Sequence, residues 1–123
     1  MEITTRTVGK CKVLDCNGKL TLGPATFALR KAIHEAVKQD ASKVVLNFRN
    51  VIHMDTSGLG EIISGYAHVV GHGRKLAFLN FSENLQSMIA RVKLLTVFEF
   101  SDNEQRALEG CEQVDFKPSK EEQ

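Results

Sequence analysis

The sequence predicts a single α/β domain in which a hairpin opens a small mixed β-sheet and about four helices follow, in the order β-β-α-β-α-β-α-β-α. Three observations lead there. Apolar runs with strand character alternate along the chain with stretches of i, i+3, i+4 apolar spacing, the pattern of strands joined by helices. No internal repeat, low-complexity block or linker interrupts the alternation, and 123 residues suit one domain with its own core. Strands separated by helices return to the sheet through right-handed crossovers, so pairing beyond the initial hairpin is expected to be largely parallel.

The first segment, ITTRTVG, alternates loosely and is rich in threonine, as an exposed edge strand is. CKVLDCNGKL follows as a second strand, with Asn17-Gly18 as a turn or bulge inside it and Gly9-Lys10 as the tight loop between the two. In GPATFALRKAIHEAVKQD, Pro24 sits at an early helical position, and Leu29, Ile33, Ala36 and Val37 have helical spacing. SKVVLNFRNV carries the continuous apolar run of a buried strand.

The next helix shows a stripe of Leu59, Ile62, Ile63, Tyr66, Val69 and Val70 and stops at GHGRK, where two glycines and two bases signal a C-terminus. KLAFLNF is another buried strand. Ser82 then caps an amphipathic helix bearing Leu85, Met88, Ile89 and Val92. VFEFS is a short last strand, and SDNEQRALEGC a last helix capped by Ser101 or Asp102, with Glu104 or Gln105 in its first turn. The polar, proline-broken end is expected to be disordered over 117–123, leaving a domain of residues 1–116.

Composition excludes several function classes. With 42% hydrophobic and 25% charged residues the chain is of ordinary globular type, and a net charge of +1 supplies no field to attract nucleic acid or an anionic membrane. No apolar stretch suits a signal peptide or a membrane span, so the protein is expected in the cytoplasm. Cys11, Cys16 and Cys111 are odd in number and match no zinc or redox spacing, and are read as reduced, buried thiols. His34, His53, His68 and His72 are read as surface or boundary residues. Although His68 and His72 are four apart, Gly71 and Gly73 argue against continuous helix there, so no metal is assigned.

Chemistry concentrates in HMDTSGLG, residues 53–60, between a strand and a helix. Two enzymatic patterns fail on this stretch. An Asp-Thr-Gly protease motif is interrupted by Ser57, and a nucleophile elbow would need glycine where Asp55 stands. No phosphate-binding glycine loop is present either, and no cofactor is implied.

The order of elements and the string NVIHMDTSGLGEII together resemble the STAS family, the fold of bacterial anti-sigma factor antagonists, over about residues 3 to 113. The resemblance implies a small mixed sheet flanked by helices and a non-enzymatic partner-switching role. In that role an unphosphorylated antagonist binds an anti-sigma factor with serine kinase activity, is phosphorylated at the helix start and released, and is reset by a serine phosphatase. Carried onto this sequence, the acceptor is Ser57, with Thr56 as the alternative and Asp55 as the preceding acid.

Physical reading agrees with this assignment. Asp55 suits the N-cap, Met54 and Leu59 the two ends of a hydrophobic staple, and Ser57 the first turn, with its hydroxyl at the surface. The resemblance further implies a partner-binding face of Asp55, Thr56, Ser57, Gly58, Gly60, Glu61, Ser64, Gly65 and His68. Its small residues are explained by close approach of a partner or by tight packing within the fold. The alternative function is a STAS scaffold or transport-complex subunit that binds its partner constitutively, without phosphorylation.

Overall fold

The structure, a computed structural model, describes residues 1–91 and 98–111. Val92, Val97 and the expected tail at 117–123 lie outside the described residues. Strand β1 (Glu2–Val8) and strand β2 (Cys11–Leu20) form the N-terminal hairpin, with Val8 opposite Cys11. Gly9 takes a φ of 57°, the left-handed conformation that a two-residue hairpin loop requires. Helix α1 (Pro24–Lys38), strand β3 (Lys43–Met54), helix α2 (Thr56–Gly71), strand β4 (Lys75–Leu79) and helix α3 (Glu83–Ala90) follow. Strand β5 (Glu99–Ser101) and helix α4 (Glu104–Ala107) complete the described chain.

The sheet runs β1-β2-β3-β4-β5, so every strand lies beside its neighbour in sequence. The pair β1 and β2 is antiparallel, and each later pair is parallel, as the alternation of elements requires. Within β2 the register against β3 slips between Asp15 and Asn17 and again between Gly18 and Lys19, the irregularity that Asn17-Gly18 foreshadows. Helix ends obey local chemistry. Pro24 opens α1, and Ser82 caps α3 by accepting from the Leu85 amide at 3.2 Å.

Because strand side chains alternate between faces, the two faces of the sheet differ sharply. One face carries Leu14, Val44, Leu46, Phe48, Leu76 and Phe78, packed against Leu29 and Ile33 of α1, Ile62 and Val69 of α2, and Leu85 and Ile89 of α3. Stacked Phe48 and Phe81, with ring centroids 4.3 Å apart, extend this core. Each leucine, isoleucine or phenylalanine fully buried here contributes about 1.5–3 kcal/mol. The other face is a narrow apolar strip of Val13, Val45, Ala77 and Leu79, and Ala107 of α4 packs on it.

Polar groups bound that strip at both ends. At one, Arg6 bridges Asp15 and Glu104, and Asn47 donates to Asp15 at 2.7 Å. At the other, Lys43 pairs with Glu99 at 3.2 Å.

Two expectations need correction. Cys11 and Cys111 are not reduced thiols; they form a disulfide with Cα atoms 5.6 Å apart across 100 residues. The fold brings the start of β2 beside the end of α4, which spacing along the chain cannot reveal. Only Cys16 is free among the described cysteines, and burial pushes its thiol up to about 12.

The last helix is capped by Asn103, not by Ser101 or Asp102. Ser101 is still in β5, opposite Leu79, whereas extended Asn103 accepts from the Arg106 amide at 3.1 Å. Helix α2 stops where the glycines signal: Gly71 is its last residue and His72 its cap, and the Arg74 and Gly73 amides reach back to the Val69 and Val70 carbonyls at 3.0 and 2.9 Å. Gly73, with φ of 75°, makes that left-handed ending possible.

Candidate functional site at the start of helix α2

Because β2 and β3 run parallel with Leu20 opposite Met54, the loop leaving β2 passes beside the junction between β3 and α2. Asp55 ties the two together. Its backbone is extended, with φ of −100° and ψ of −177°, and one carboxylate oxygen accepts from the Gly58 amide at 2.8 Å, which makes it the N-cap. The other oxygen accepts from the Leu22 amide at 3.0 Å, and the Asp55 amide donates to the Leu20 carbonyl at 3.3 Å. These bonds hold the Asp55 carboxyl below its ordinary range, the Leu22 amide contributing most, the Gly58 amide next and His53 least.

Thr56 and Ser57 are the first two helical residues. Thr56 is exposed and Ser57 half-buried, so the Ser57 hydroxyl is less open than the sequence implies. Among the described residues neither hydroxyl forms a hydrogen bond with another protein group. By contrast, the Ser82 hydroxyl at the start of α3 is engaged, accepting from the Leu85 amide. At α2 the acid performs the capping and leaves both hydroxyls unengaged. Met54 and Leu59 are buried in the main core on either side of the cap, where a hydrophobic staple places them.

The remaining residues of the expected partner-binding face separate into two groups. Gly60 and Ser64 are exposed, and a side chain at Gly60 would meet nothing within 4 Å. Gly58 and Gly65 point inward. A Cβ on Gly58 would lie 2.3 Å from the Leu20 carbonyl oxygen, and one on Gly65 would lie 2.6 Å from Cδ1 of Ile33. Their smallness is thus accounted for by packing within the fold.

Glu61 is 5% exposed, and Arg30 of α1 donates to both its oxygens at 2.8 and 3.1 Å, so it presents no open acid. His68 is half-buried and stacked on His34 of α1, ring centroids 3.7 Å apart, with the tilted ring of His72 4.4 Å from it. Burial, then the two neighbouring rings, push the His68 imidazole below its ordinary pKa. Among the described residues no group of three or more histidines, cysteines and carboxylates is arranged to hold a metal ion.

The structure adds residues that motif reading passes over. Leu22, whose amide bonds Asp55, is 76% exposed, and Ile52, three residues before Asp55, is 74% exposed. Phe27, on the first turn of α1, is 64% exposed. The available signal is that Phe27 falls outside the apolar stripe of its helix and Ile52 outside the buried run of its strand, while Leu22 is an apolar residue in the turn before α1.

Over residues 2–107 the chain matches the family model of the STAS domain. It belongs to the STAS-domain family. Its fold is shared with several solved structures of low identity. The anti-sigma factor antagonist SpoIIAA in its unphosphorylated form aligns with a TM-score of 0.69 at 21% identity, covering 94% of this chain and 99% of that one. The Bacillus protein in its phosphorylated form gives 0.68 at 20%, covering 85% and 96%.

An anti-sigma factor antagonist from Mycobacterium paratuberculosis gives 0.74 at 17%, covering 89% of this chain and 92% of its own. A sulfate transporter family protein from Wolinella succinogenes also gives 0.74, at 15% identity, covering 89% and 91%. The five-stranded mixed sheet and its helices are therefore those of a STAS domain. No helix among the described residues of this STAS domain is long and apolar enough to cross a membrane.

Proposed function

We propose that this STAS protein is a cytoplasmic, non-enzymatic anti-sigma factor antagonist. Unphosphorylated, it binds an anti-sigma factor with serine kinase activity; phosphorylation of Ser57 releases it, and a serine phosphatase restores it. One observation carries the reading. Asp55 caps α2 by itself, while the Ser57 hydroxyl beside it has no internal partner among the described residues. That hydroxyl is thus available for transfer without loss of a structural hydrogen bond.

A phosphate there adds about −1.5 to −2 charges next to a carboxylate held in its ionised form. The first-turn amides of a helix tolerate an anion, so the domain stays folded. What changes is the surface around Thr56, Ser57, Gly60 and Ser64, through bulk, desolvation and repulsion of any acid opposite. Exposed Leu22, Ile52 and Phe27 supply apolar area near this end of the domain. They also favour the second reading, a scaffold or transport-complex subunit bound constitutively, since apolar contacts need no charge switch.

Incubation with ATP and the cognate kinase is expected to yield one phosphopeptide within residues 50–74, modified at Ser57. By calorimetry Ser57→Ala retains affinity for the kinase and Ser57→Asp loses most of it. Modification confined to Thr56 moves the site. Equal affinity of the two variants, with no phosphate incorporated, favours constitutive binding.

A further inference from the structure

Strand β1 is an edge of the sheet, and among the described residues nothing pairs with its outer side. Val8 and Cys11 flank a two-residue loop and so form a hydrogen-bonded pair, which turns the backbone groups of Val8, Arg6, Thr4 and Glu2 toward β2. Ile3, Thr5 and Thr7 then direct their amides and carbonyls outward, a row of donors and acceptors that another strand can meet. Devices that usually blunt such an edge are missing from β1. It contains no proline and no lysine, its ladder with β2 has no register shift, and its arginine, Arg6, is engaged by Asp15 and Glu104. Strand β5, at the opposite edge, is only three residues long.

The side chains of Ile3 and Thr5 lie on the sheet face covered by α1. With Ala28, Lys31, Ala32 and Glu35 they line an open groove of about 400 Å³ along the edge. Helix α1 packs on β1 and β2 alike. Strands are spaced about 4.8 Å apart, so a second copy paired across a two-fold axis sets its own α1 two spacings from the first. That is about 10 Å, a packing distance for neighbouring helices, and the alanines leave room for the contact. Lys31 and Glu35 are exposed at the lip, one turn apart, and among the described residues neither is in an ion pair. A two-fold axis runs the two α1 helices antiparallel, so Lys31 of each copy faces Glu35 of the other.

We propose that β1 is a homodimerisation edge: two copies pair β1 with β1 antiparallel, centred on Thr4, into one continuous sheet with the α1 helices side by side across the axis. Thr4 is the centre because it lies midway between Ile3 and Thr5, the β1 residues that line the groove. The occupant is a second copy because the surface is self-complementary: an open strand edge matches itself when antiparallel, and a lysine and a carboxylate one turn apart exchange across the axis. Asp55, Thr56 and Ser57 do not line the groove, so the dimer is independent of the role given to Ser57.

Sedimentation equilibrium of the full chain over a micromolar to millimolar series is expected to show a reversible monomer–dimer equilibrium. Thr5→Pro removes only an outward amide, so the hairpin keeps its ladder and its far-ultraviolet dichroism while the dimer is lost. Lys31→Glu, on an exposed helix face, sets carboxylate against carboxylate and is expected to weaken the dimer several-fold. Adding Glu35→Lys to that variant restores complementarity and affinity. In oxidising buffer Thr4→Cys should bridge two copies much faster than Thr7→Cys, whose side chain lies away from the axis. A chain that is monomeric throughout the series overturns the proposal, as does a dimer that Thr5→Pro or Lys31→Glu leaves intact. Equal bridging rates at the two positions overturn the pairing at Thr4.

Discussion

At the scale of single residues, Asp55 and His68 give α2 opposite chemistry at its two ends, yet both make the fold sensitive to acid. Asp55 is held below 3.8, so its contribution is complete above that value and is lost as pH falls through the lower folded pKa. His68 is held below 6.5, so protons bind the unfolded chain more tightly, and stability declines as pH drops from 6.5 toward the folded value. The groups facing His68 are His34 from α1 and His72 from its own helix end. Arg30, one turn before His34, is paired with Glu61, and Lys38 lies one turn after it.

Among the described residues no carboxylate pairs with any of the three rings, so a proton added to the stack meets no counter-charge. His68→Gln is expected to flatten the decline in stability just below neutral pH and to leave the more acidic decline in place. Urea titrations at a series of pH values measure this, and an unchanged slope would refute it.

At the scale of elements, the spacing of α1 from α2 depends on what Gly65 lacks. Alanine there gains helix propensity of roughly 1 kcal/mol but drives its methyl against Cδ1 of Ile33, 2.6 Å away. Overpacking of this kind costs about 1–3 kcal/mol. Gly65→Ala is therefore expected to destabilise the native chain and to stabilise an Ile33→Val chain, whose remaining side-chain atoms lie at 3.9 Å. A double-mutant cycle from thermal unfolding tests the reversal; the same sign in both backgrounds would locate the constraint elsewhere.

Much of this level was legible in the sequence. Apolar spacing predicted each element, Pro24 and Ser82 their starts, and the glycines after Val70 the stop of α2. Asp55 was recognisable as the cap because its bond to Gly58 is local. What could not be read depends on contacts between distant segments. Arg30 covering Glu61, Leu20 against Gly58, Ile33 against Gly65, His34 on His68 and Cys11 bonded to Cys111 all join residues at least 31 positions apart. Helical spacing says that a residue lies on a face; it does not say what that face meets.

At the scale of the whole molecule, the strand order β1-β2-β3-β4-β5 has a consequence for how the chain assembles. Each new strand adds at the single growing edge left by its predecessor, so no strand must wait for a later one to fill a gap between earlier neighbours. Short-range closures of this kind favour rapid ordering, and a chain made from its N-terminus can accumulate sheet as it emerges. Cys111 comes at the end of this series. Refolded from the reduced state in oxidising buffer, the chain is expected to protect amides of β2 and β3 before the bridge appears in quenched samples, and bridging ahead of that protection would contradict it. The bond that spans the chain is then a record of completion: it closes only on a sheet that has already been built.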